Sequence, residues 1–314
     1  MVSDEPRKLY KTVVSDSSRW DGLELRADDI IISTPPKCGT TWMQMLCALL
    51  VFQDPQLPGR LTELSPWVDM QTEALGSVHA TLAAQRHRRF MKSHTPLDGL
   101  PRDDRVTYIC VGRDPRDVAI SWDHHSANTN LDTLLQARAE AVGLDDLAEL
   151  FAEGPPPPPP DDPMERFWLW AEVDNPMSPS GLTALIDHVA TFWDRRDKPN
   201  IALFHYADLQ ADLDGEMRRL AALLGIVVDE ATWPKLVAAA TFDEMRTRAD
   251  ELAPQVKIDG FWKDKGAFFH RGGNEQWRAM LTDEDVRRYE ARVRTLASPD
   301  VIDWMHRGWR GAVG

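Results

Sequence analysis

The sequence predicts an α/β fold, a three-layer sandwich in which a central, mostly parallel sheet lies between helices. Three stretches indicate this, because each joins an apolar strand-like run to a helical pattern; they lie at 30–52, 105–121 and 181–224. With 314 residues and 43% hydrophobic content, the chain can bury a sizeable core. We expect residues 1–314 to form a single domain.

Composition excludes several classes of protein. The formal net charge of −14 argues against nonspecific binding to nucleic acid or to anionic membranes, so an anionic ligand would need a local basic cluster. Cys38, Cys47 and Cys110 are widely separated, which argues against a disulfide framework. The longest apolar run, 45–52, is too short to span a bilayer. We therefore expect a cytoplasmic protein with no membrane span and no nucleic-acid partner.

The first stretch predicts a strand, a loop and a helix, with a phosphate site at the loop. Three isoleucines, 30–32, precede a Pro-Pro break, and an apolar helical pattern then runs to residue 52. Gly39 permits close approach of a ligand to the backbone, Thr40 and Thr41 offer hydroxyl groups, and Lys37 adds a positive charge. The lysine precedes the glycine, unlike the usual nucleotide-triphosphate loop, which suggests a ligand other than a Mg-nucleotide.

Two further strands are predicted to end in polar residues. Residues 89–96 read as a short strand that ends near His94, and a histidine at that end of a strand in an open α/β sheet lies where ligands bind. Residues 105–111 form a second β-branched run, followed by Arg113. Asp114 and Pro115 then predict a helix start. The adjacent residues His124 and His125 are not expected to bind a metal, since neighbours on a helix point about 100° apart.

The second half of the chain continues the pattern. Residues 131–153 are helical by period, and the proline-rich stretch 154–163 is expected to form a loop within the same domain. Residues 164–173, rich in aromatic side chains, are a candidate wall for a hydrophobic pocket. A helix at 181–196, a strand at 201–206 and a helix at 213–224 follow, the last ending at Gly225.

These motifs resemble a known family. The run Pro36-Lys37-Cys38-Gly39-Thr40-Thr41-Trp42 resembles the 5′-phosphosulfate loop of the cytosolic-type sulfotransferases, which use 3′-phosphoadenosine 5′-phosphosulfate (PAPS) as donor. Lys92-Ser93-His94, the pair Arg113 and Ser121, the segment around Tyr206 and the segment around Phe242 resemble further family motifs in the same order. The resemblance implies the P-loop-like sulfotransferase fold.

The resemblance also implies an activity: transfer of sulfonate from PAPS to a hydroxyl or amine of a small-molecule or lipid acceptor, leaving 3′,5′-diphosphoadenosine (PAP). It implies His94 as general base, Lys37 as the group that stabilises the leaving oxygen, and Lys92 as a brace for the sulfonate. No metal is expected, because lysines and helix N–H groups supply the positive charge that Mg²⁺ supplies in kinases. The residues implied to bind the donor are Lys37, Cys38, Gly39, Thr40, Thr41, Trp42, Arg113, Ser121, Tyr206, Phe242, Arg271, Gly272 and Gly273.

The chain departs from the family pattern near its end. Ala240 lacks a hydroxyl, Gly272 stands where the family has lysine, and the spacing before Trp277 is one residue short. An alternative therefore stays open: a catalytically weak or inactive nucleotide-binding or regulatory protein on the same fold. A covalent mechanism through Cys38, at a helix N-terminus, is a second rival. The family's dimerisation pattern is degraded to Arg278, Thr282, Asp283 and Arg287, so a homodimer is not assumed.

Overall fold

The computed structural model describes residues 6–148, 158–175, 178, 180–253, 258–264, 266–269 and 272–311. Within that part of the chain, a four-stranded sheet has the order β2-β1-β3-β4, and its neighbouring strands are all parallel. The strands are β1 (Ile30–Ser33), β2 (Phe90–Ser93), β3 (Thr107–Gly112) and β4 (Ile201–His205). Helices cover both faces, so the predicted three-layer α/β fold is confirmed.

The strand order places the site. The chain leaves β1 toward β2 on one side and leaves β3 toward β4 on the other, so the connections diverge between β1 and β3. Ligands of open α/β sheets bind in the crevice at such a point, beyond the carboxyl ends of the strands. Ile32 pairs with Ile109 on β3 and with Lys92 on β2, which brings the three predicted strand ends together.

Helices account for most of the regular structure outside the sheet. They are α1 (Thr40–Phe52), α2 (Leu61–Leu64), α3 (Leu75–Ala84), α4 (Pro115–Asn128), α5 (Leu131–Val142), α6 (Pro163–Glu172), α7 (Leu182–Trp193), α8 (Tyr206–Ala211), α9 (Leu213–Leu224), α10 (Trp233–Ala239), α11 (Phe242–Thr247), α12 (Ala249–Leu252), α13 (Asp283–Val293) and α14 (Pro299–Gly311). Short 3₁₀ turns lie at Ser17–Trp20, Leu97–Gly99, Asp145–Leu147, Gly266–Phe268 and Gln276–Ala279. Among the described residues, none of the helices combines the length and apolar character that a membrane span requires.

The core lies on both faces of the sheet. Successive side chains of β1 alternate, so Ile30 and Ile32 pack with α1, while Ile31 packs with Tyr108 and Trp304 on the other face. Helix α1 is buried almost all round, which explains why its sequence is apolar at nearly every position from Met43 to Leu50. This burial holds the first turn of α1 rigidly at the edge of the sheet.

Three local expectations need revision. The strand predicted to include Tyr206 ends at His205, because the His205 imidazole accepts a hydrogen bond from the Ala207 backbone (3.2 Å) and starts α8 there. The aromatic residues of α6 do not form a pocket wall: Phe167, Trp168 and Trp170 are buried in the core. The helix predicted at 131–153 ends at Val142, and residues 149–157, including part of the proline-rich stretch, lie outside the described residues.

Candidate active site

The loop between β1 and α1 forms a cradle for an anion. Lys37 and Gly39 both have left-handed backbone angles, with φ of 69° and 105°, and a Cβ at Gly39 would lie only 3.0 Å from the Tyr206 ring. Gly39 is the N-cap of α1 and no side chain caps that helix, so its first N–H groups are available to a ligand. The Thr40 hydroxyl lies 2.5 Å from that of Thr34, and Thr40 and Thr41 both line the cavity that opens over this loop.

A cavity of about 980 Å³ opens over this loop. It brings together most of the predicted site residues, namely Lys37, Gly39, Thr40, Thr41, Trp42, Lys92, His94, Arg113, Ser121, Tyr206, Phe242 and Gly272. Cys38 and Gly273 are not part of its lining. Arg271 lies outside the described residues.

One hydrogen bond orients the His94 ring. Its Nδ1 lies 2.6 Å from the carbonyl oxygen of Thr34, and a carbonyl can only accept, so Nδ1 carries the proton and donates it. The other ring nitrogen, Nε2, is then an unprotonated acceptor. Burial, followed by the nearby charge of Lys92, holds the pKa of His94 well below its usual value, so the ring is neutral at neutral pH.

Two lysines flank this histidine. The Nζ of Lys37 lies 3.3 Å from Nδ1 of His125, and the Nζ of Lys92 lies 3.6 Å from the centre of the Trp67 ring. Burial lowers the pKa of Lys37 to about 7, with the Arg113 charge adding to the effect. Burial also lowers the pKa of Lys92 to about 7, and the carboxylate of Asp69 opposes that shift. An anionic ligand between the two lysines would restore their charge.

Asp69 organises the strand end behind Lys92. Its fully buried carboxylate accepts hydrogen bonds from the indole N–H of Trp67 and from the hydroxyls of Ser93 and Thr95, each at 2.5 Å. Trp67 in turn covers Lys92 and meets the His94 ring edge-on at 4.7 Å. No sequence motif singled out Asp69.

Arg113 lines the cavity where the phosphate loop faces the segment after residue 271. Its guanidinium donates to the carbonyls of Lys37 (3.1 Å) and Gly273 (3.0 Å) and stacks 4.3 Å from the centre of the Tyr206 ring. Its Nε is buried and has no hydrogen-bond partner among the described residues. A buried N–H of this kind is costly unless a ligand pairs with it, so this end of the cavity fits a phosphate.

The segment after residue 271 closes this end of the site. Gly272 has φ of 61°, and a Cβ there would fall within 2.6 Å of the Phe242 ring, so the lysine of the family pattern would not fit this backbone. The Gly272 carbonyl accepts hydrogen bonds from the Tyr206 hydroxyl (3.1 Å) and from the Gln210 amide. With glycine in place of the family's lysine, the backbone at residue 272 can pack directly against the Phe242 ring.

The Cys38 side chain lies fully buried in the core and does not line the cavity. Burial raises the pKa of its thiol to about 12. A nucleophilic thiolate is therefore not available at neutral pH. Cys38 can contribute only its backbone to the loop.

Several cavity residues carried no signal in the sequence. The N-terminal segment Leu9–Ser15 lines the cavity, and long-range hydrogen bonds hold it there: Arg138 donates to the Val13 carbonyl (3.0 Å) and Gln71 to that of Thr12 (2.9 Å). His125, Trp262 and Phe268 also line it. The partners lie far apart in the chain, so no local pattern could reveal them.

Comparison with known proteins identifies the family. A model of the sulfotransferase domain matches residues 27–307. The chain belongs to the sulfotransferase family. It is 46% identical, over 99% of its length and 98% of the relative's, to a glycolipid sulfotransferase of Mycobacterium tuberculosis (strain ATCC 25177 / H37Ra). It is 27% identical to the luciferin sulfotransferase of Photinus pyralis, over 92% of this chain and 77% of the relative.

A solved structure supports the fold of this sulfotransferase. A mouse sulfotransferase complexed with PAP superposes with a TM-score of 0.66 at 20% identity, covering 92% of this chain and 91% of the mouse chain. The sheet, the loop after β1 and the crevice thus belong to the P-loop-like sulfotransferase fold. The protein is an enzyme that transfers a sulfonate group.

Proposed function

We propose that this sulfotransferase moves the sulfonate group of PAPS to a hydroxyl of a glycolipid, with His94 as general base. The observation that carries the proposal is the orientation of His94: the Thr34 carbonyl, at the start of the phosphate loop, holds Nδ1 and leaves Nε2 to accept a proton. The backbone at the start of the anion cradle therefore also orients the proposed base.

The donor end of the cavity fits PAPS. The uncapped start of α1 and Lys37 suit a 5′-phosphosulfate, and the unpaired Nε of Arg113, with Ser121 beside the same cavity, suits a 3′-phosphate. Trp42, Tyr206 and Phe242 offer aromatic surface for an adenine ring. Arg271 and Gly273 complete the proposed donor-binding set. PAPS supplies the activated sulfonate, and PAP is what remains after transfer.

Each charged residue has a separate task in the proposed mechanism. His94 takes the proton of the acceptor hydroxyl at Nε2 as that oxygen forms its bond to sulfur. Lys37 stabilises negative charge on the phosphate oxygen as the sulfur–oxygen bond breaks, and Lys92 neutralises the oxygens of the group in transfer. We expect no metal requirement, because these lysines and the α1 N–H groups provide the positive charge.

The acceptor end of the cavity suits a lipid. Apolar side chains line it, from the N-terminal segment, the loop after α2, α5 and the loop after α12: Leu9, Val13, Val14, Met70, Leu131, Leu134, Leu135, Phe261 and Trp262. Such a lining favours an acyl or other apolar tail, while the hydroxyl to be modified reaches His94. The M. tuberculosis relative, a glycolipid sulfotransferase by name, supports this acceptor class.

Two further parts of the proposal concern the cellular compartment and the oligomeric state. We place the enzyme in the cytoplasm, because its three cysteines are unpaired and buried, which suits a reducing compartment. We leave the homodimer unassigned, since Thr282, part of the degraded dimer pattern, caps α13 within its own chain in a reciprocal pair with Asp285.

The experiment is single-turnover transfer from sulfur-labelled PAPS to a glycolipid in detergent micelles, with the deacylated headgroup and a phenol as comparison acceptors. We expect a sulfonated glycolipid by mass spectrometry, faster transfer to the intact glycolipid than to its headgroup, and no effect of a chelator. Tight PAP binding without transfer to any acceptor would instead establish the non-catalytic alternative. Transfer to the phenol alone would overturn the lipid assignment.

A further inference from the structure

His125, on α4, makes a direct contact with the lysine of the phosphate loop. Its Nδ1 lies 3.3 Å from the Nζ of Lys37, although the two residues are far apart in the chain. Lys37 stands on the left-handed turn of the phosphate loop, with φ of 69°. The contact with His125 therefore ties the ammonium group of this loop lysine to α4.

The His125 ring is fixed by aromatic neighbours on two sides. Trp122, on the same helix, lies 5.3 Å from it between ring centres, and Trp262, from the loop after α12, lies 5.1 Å away. Phe268 packs against the same ring at 6.4 Å and also lies 4.9 Å from the Lys37 Nζ. A ring held in this way presents Nδ1 in one direction, toward Lys37.

The charges around the pair determine the direction of the hydrogen bond. Burial, followed by the nearby charges of Lys37 and Lys92, holds the pKa of His125 well below its usual value, so the imidazole is neutral. Arg113 also faces Lys37, and Asp69 lies beyond Lys92. With cations on several sides, a neutral acceptor is the group that can hold an ammonium without adding repulsion.

We propose that His125 is a positioning residue that accepts a hydrogen bond from the Lys37 ammonium at Nδ1, holding it over the phosphate loop and favouring its protonated form. His125 acts through Lys37, and the inference rests on the role proposed above for that lysine. The remaining N–H groups of the ammonium stay free for the donor phosphate. Loss of the acceptor should weaken both the placement of the charge and its retention at alkaline pH.

Three substitutions separate this role from packing. His125→Asn places an amide oxygen where Nδ1 lies, His125→Gln reaches instead toward the position of Nε2, and His125→Phe keeps the ring without an acceptor. We expect His125→Phe and His125→Gln to lower kcat about tenfold, the usual effect of losing a hydrogen bond to a charged group. In the pH profile of kcat/KM, their alkaline limb should move to lower pH, whereas His125→Asn should retain both the rate and the limb.

Calorimetric binding of PAP as a function of pH gives a readout that does not need turnover. Affinity of the Phe and Gln variants should fall at a lower pH than that of wild type and of His125→Asn. An Asn variant as impaired as the Phe variant, or a Phe variant with an unmoved alkaline limb, would show that the histidine only packs. Absence of turnover in wild type would count against the proposed function, while the PAP series would still decide the role of His125.

Discussion

The tautomer of His94 follows from one short contact with a backbone carbonyl. Since Nδ1 donates to Thr34, Nε2 is the atom that can take a proton, and the low pKa of the ring keeps it ready over the neutral range. This separation of tasks between two nitrogens is a common feature of catalytic histidines. The sequence placed the residue, but only the contact with Thr34 showed which nitrogen faces the cavity.

His94→Ala tests the base directly. We expect turnover on an aliphatic alcohol acceptor to fall about 10²-fold or more, because its proton cannot leave unaided. Thermal stabilisation by PAP should remain, since the donor end is untouched. Because burial lowers the pKa of His94, the acid limb of the wild-type rate should lie below the ordinary histidine value of 6.5 and disappear in the variant.

His79→Ala is the matched control, because that histidine contacts the Arg19 carbonyl and does not line the cavity. It should behave as wild type. A His94→Ala enzyme that kept wild-type turnover on the alcohol would rule out the base assignment.

The two lysines make donor binding a proton-linked event. Burial lowers the pKa of Lys37 and of Lys92 to about 7, so each is partly deprotonated in the free enzyme above that pH. A bound phosphate beside Lys37 favours the charged form of that lysine and raises its pKa. PAP binding should therefore take up protons at about pH 8 and much fewer at about pH 6, where the lysines already carry theirs.

Calorimetry in two buffers with different ionisation enthalpies measures this uptake. Lys37→Gln should reduce the number of protons taken up at the higher pH, and Lys198→Gln, an exposed residue outside the cavity, should not. Equal binding heats in both buffers at the higher pH would contradict the lowered pKa values.

At the scale of secondary structure, α4 anchors the segment after residue 271, which closes the Arg113 end of the site. The buried carboxylate of Asp117 accepts hydrogen bonds from the backbone N–H groups of Glu275 (2.7 Å) and Gln276 (2.8 Å). Glu275 has a left-handed backbone, φ 59°, which is unfavourable for a residue with a side chain. Two hydrogen bonds to one carboxylate offset that cost and fix the position of Gly273, whose carbonyl binds Arg113.

Asp117→Asn should loosen this closure. The amide can accept one of the two hydrogen bonds and directs an NH₂ group at the other donor, so we expect PAP affinity to fall about tenfold. The value of kcat at saturating donor should change little, because the reacting end is intact.

Arg113→Ala should produce a larger loss of affinity, selective for PAP over adenosine 5′-phosphate, since it removes the partner proposed for the 3′-phosphate.

The control for Asp117 lies on the same helix. Asp123→Asn breaks a partly exposed ion pair with Arg166 on α6 and should leave PAP affinity unchanged. If Asp117→Asn bound PAP as tightly as wild type, the closing segment would not depend on α4.

Helices and strands differ in how well their local sequences predicted them. The β1–loop–α1 and β3–α4 units were predicted from β-branched runs, a Pro-Pro break and the Asp114-Pro115 cap, all of which are local signals. The prediction that the aromatic residues of α6 line a pocket was wrong, because apolar side chains are found in pocket walls and in cores alike. Tertiary packing against α7 decided between the two.

At the scale of the whole molecule, the charge distribution is uneven. The chain has a formal net charge of −14, yet Lys37, Lys92 and Arg113 face one cavity. This is the local basic cluster that an anionic donor requires in an acidic protein. We propose that the chain works as one domain, since the cavity is assembled from its N-terminal segment, its central strands and residues beyond 260.

Buried neutral histidines should make the fold sensitive to acid. Burial lowers the pKa of His188 from 6.5 to about 4, and the pKa values of His94 and His125 are also lowered. Between the lowered pKa of about 4 and the ordinary value of 6.5, the unfolded chain binds more protons than the folded one. The free energy of unfolding should therefore fall as pH drops below 6.5. The raised pKa values of Asp117 and Asp187 act in the opposite direction.

Urea unfolding at pH values between about 7.5 and 4.5 measures this slope, provided that unfolding is two-state. His188→Gln should flatten it, because this histidine is buried behind the site, stacked on Phe192 and 3.3 Å from the Ser33 hydroxyl. A His188→Gln slope equal to that of wild type would show that His188 is not a buried neutral group in the folded state.

The sequence by itself determined the four strands, the helices that follow β1 and β3, and the main chemical groups of the site, because each rests on residues close together in the chain: the loop at 35–42, His94 after β2 and Arg113 after β3. Parallel strands bring their carboxyl ends to one edge, so those groups had to meet. Only the tertiary structure decided what directs them. The contacts that do so join segments that are distant in sequence, and they depend on how whole layers pack. They are the hydrogen bonds between His94 and Thr34, between Lys37 and His125, and between Glu275 and Asp117.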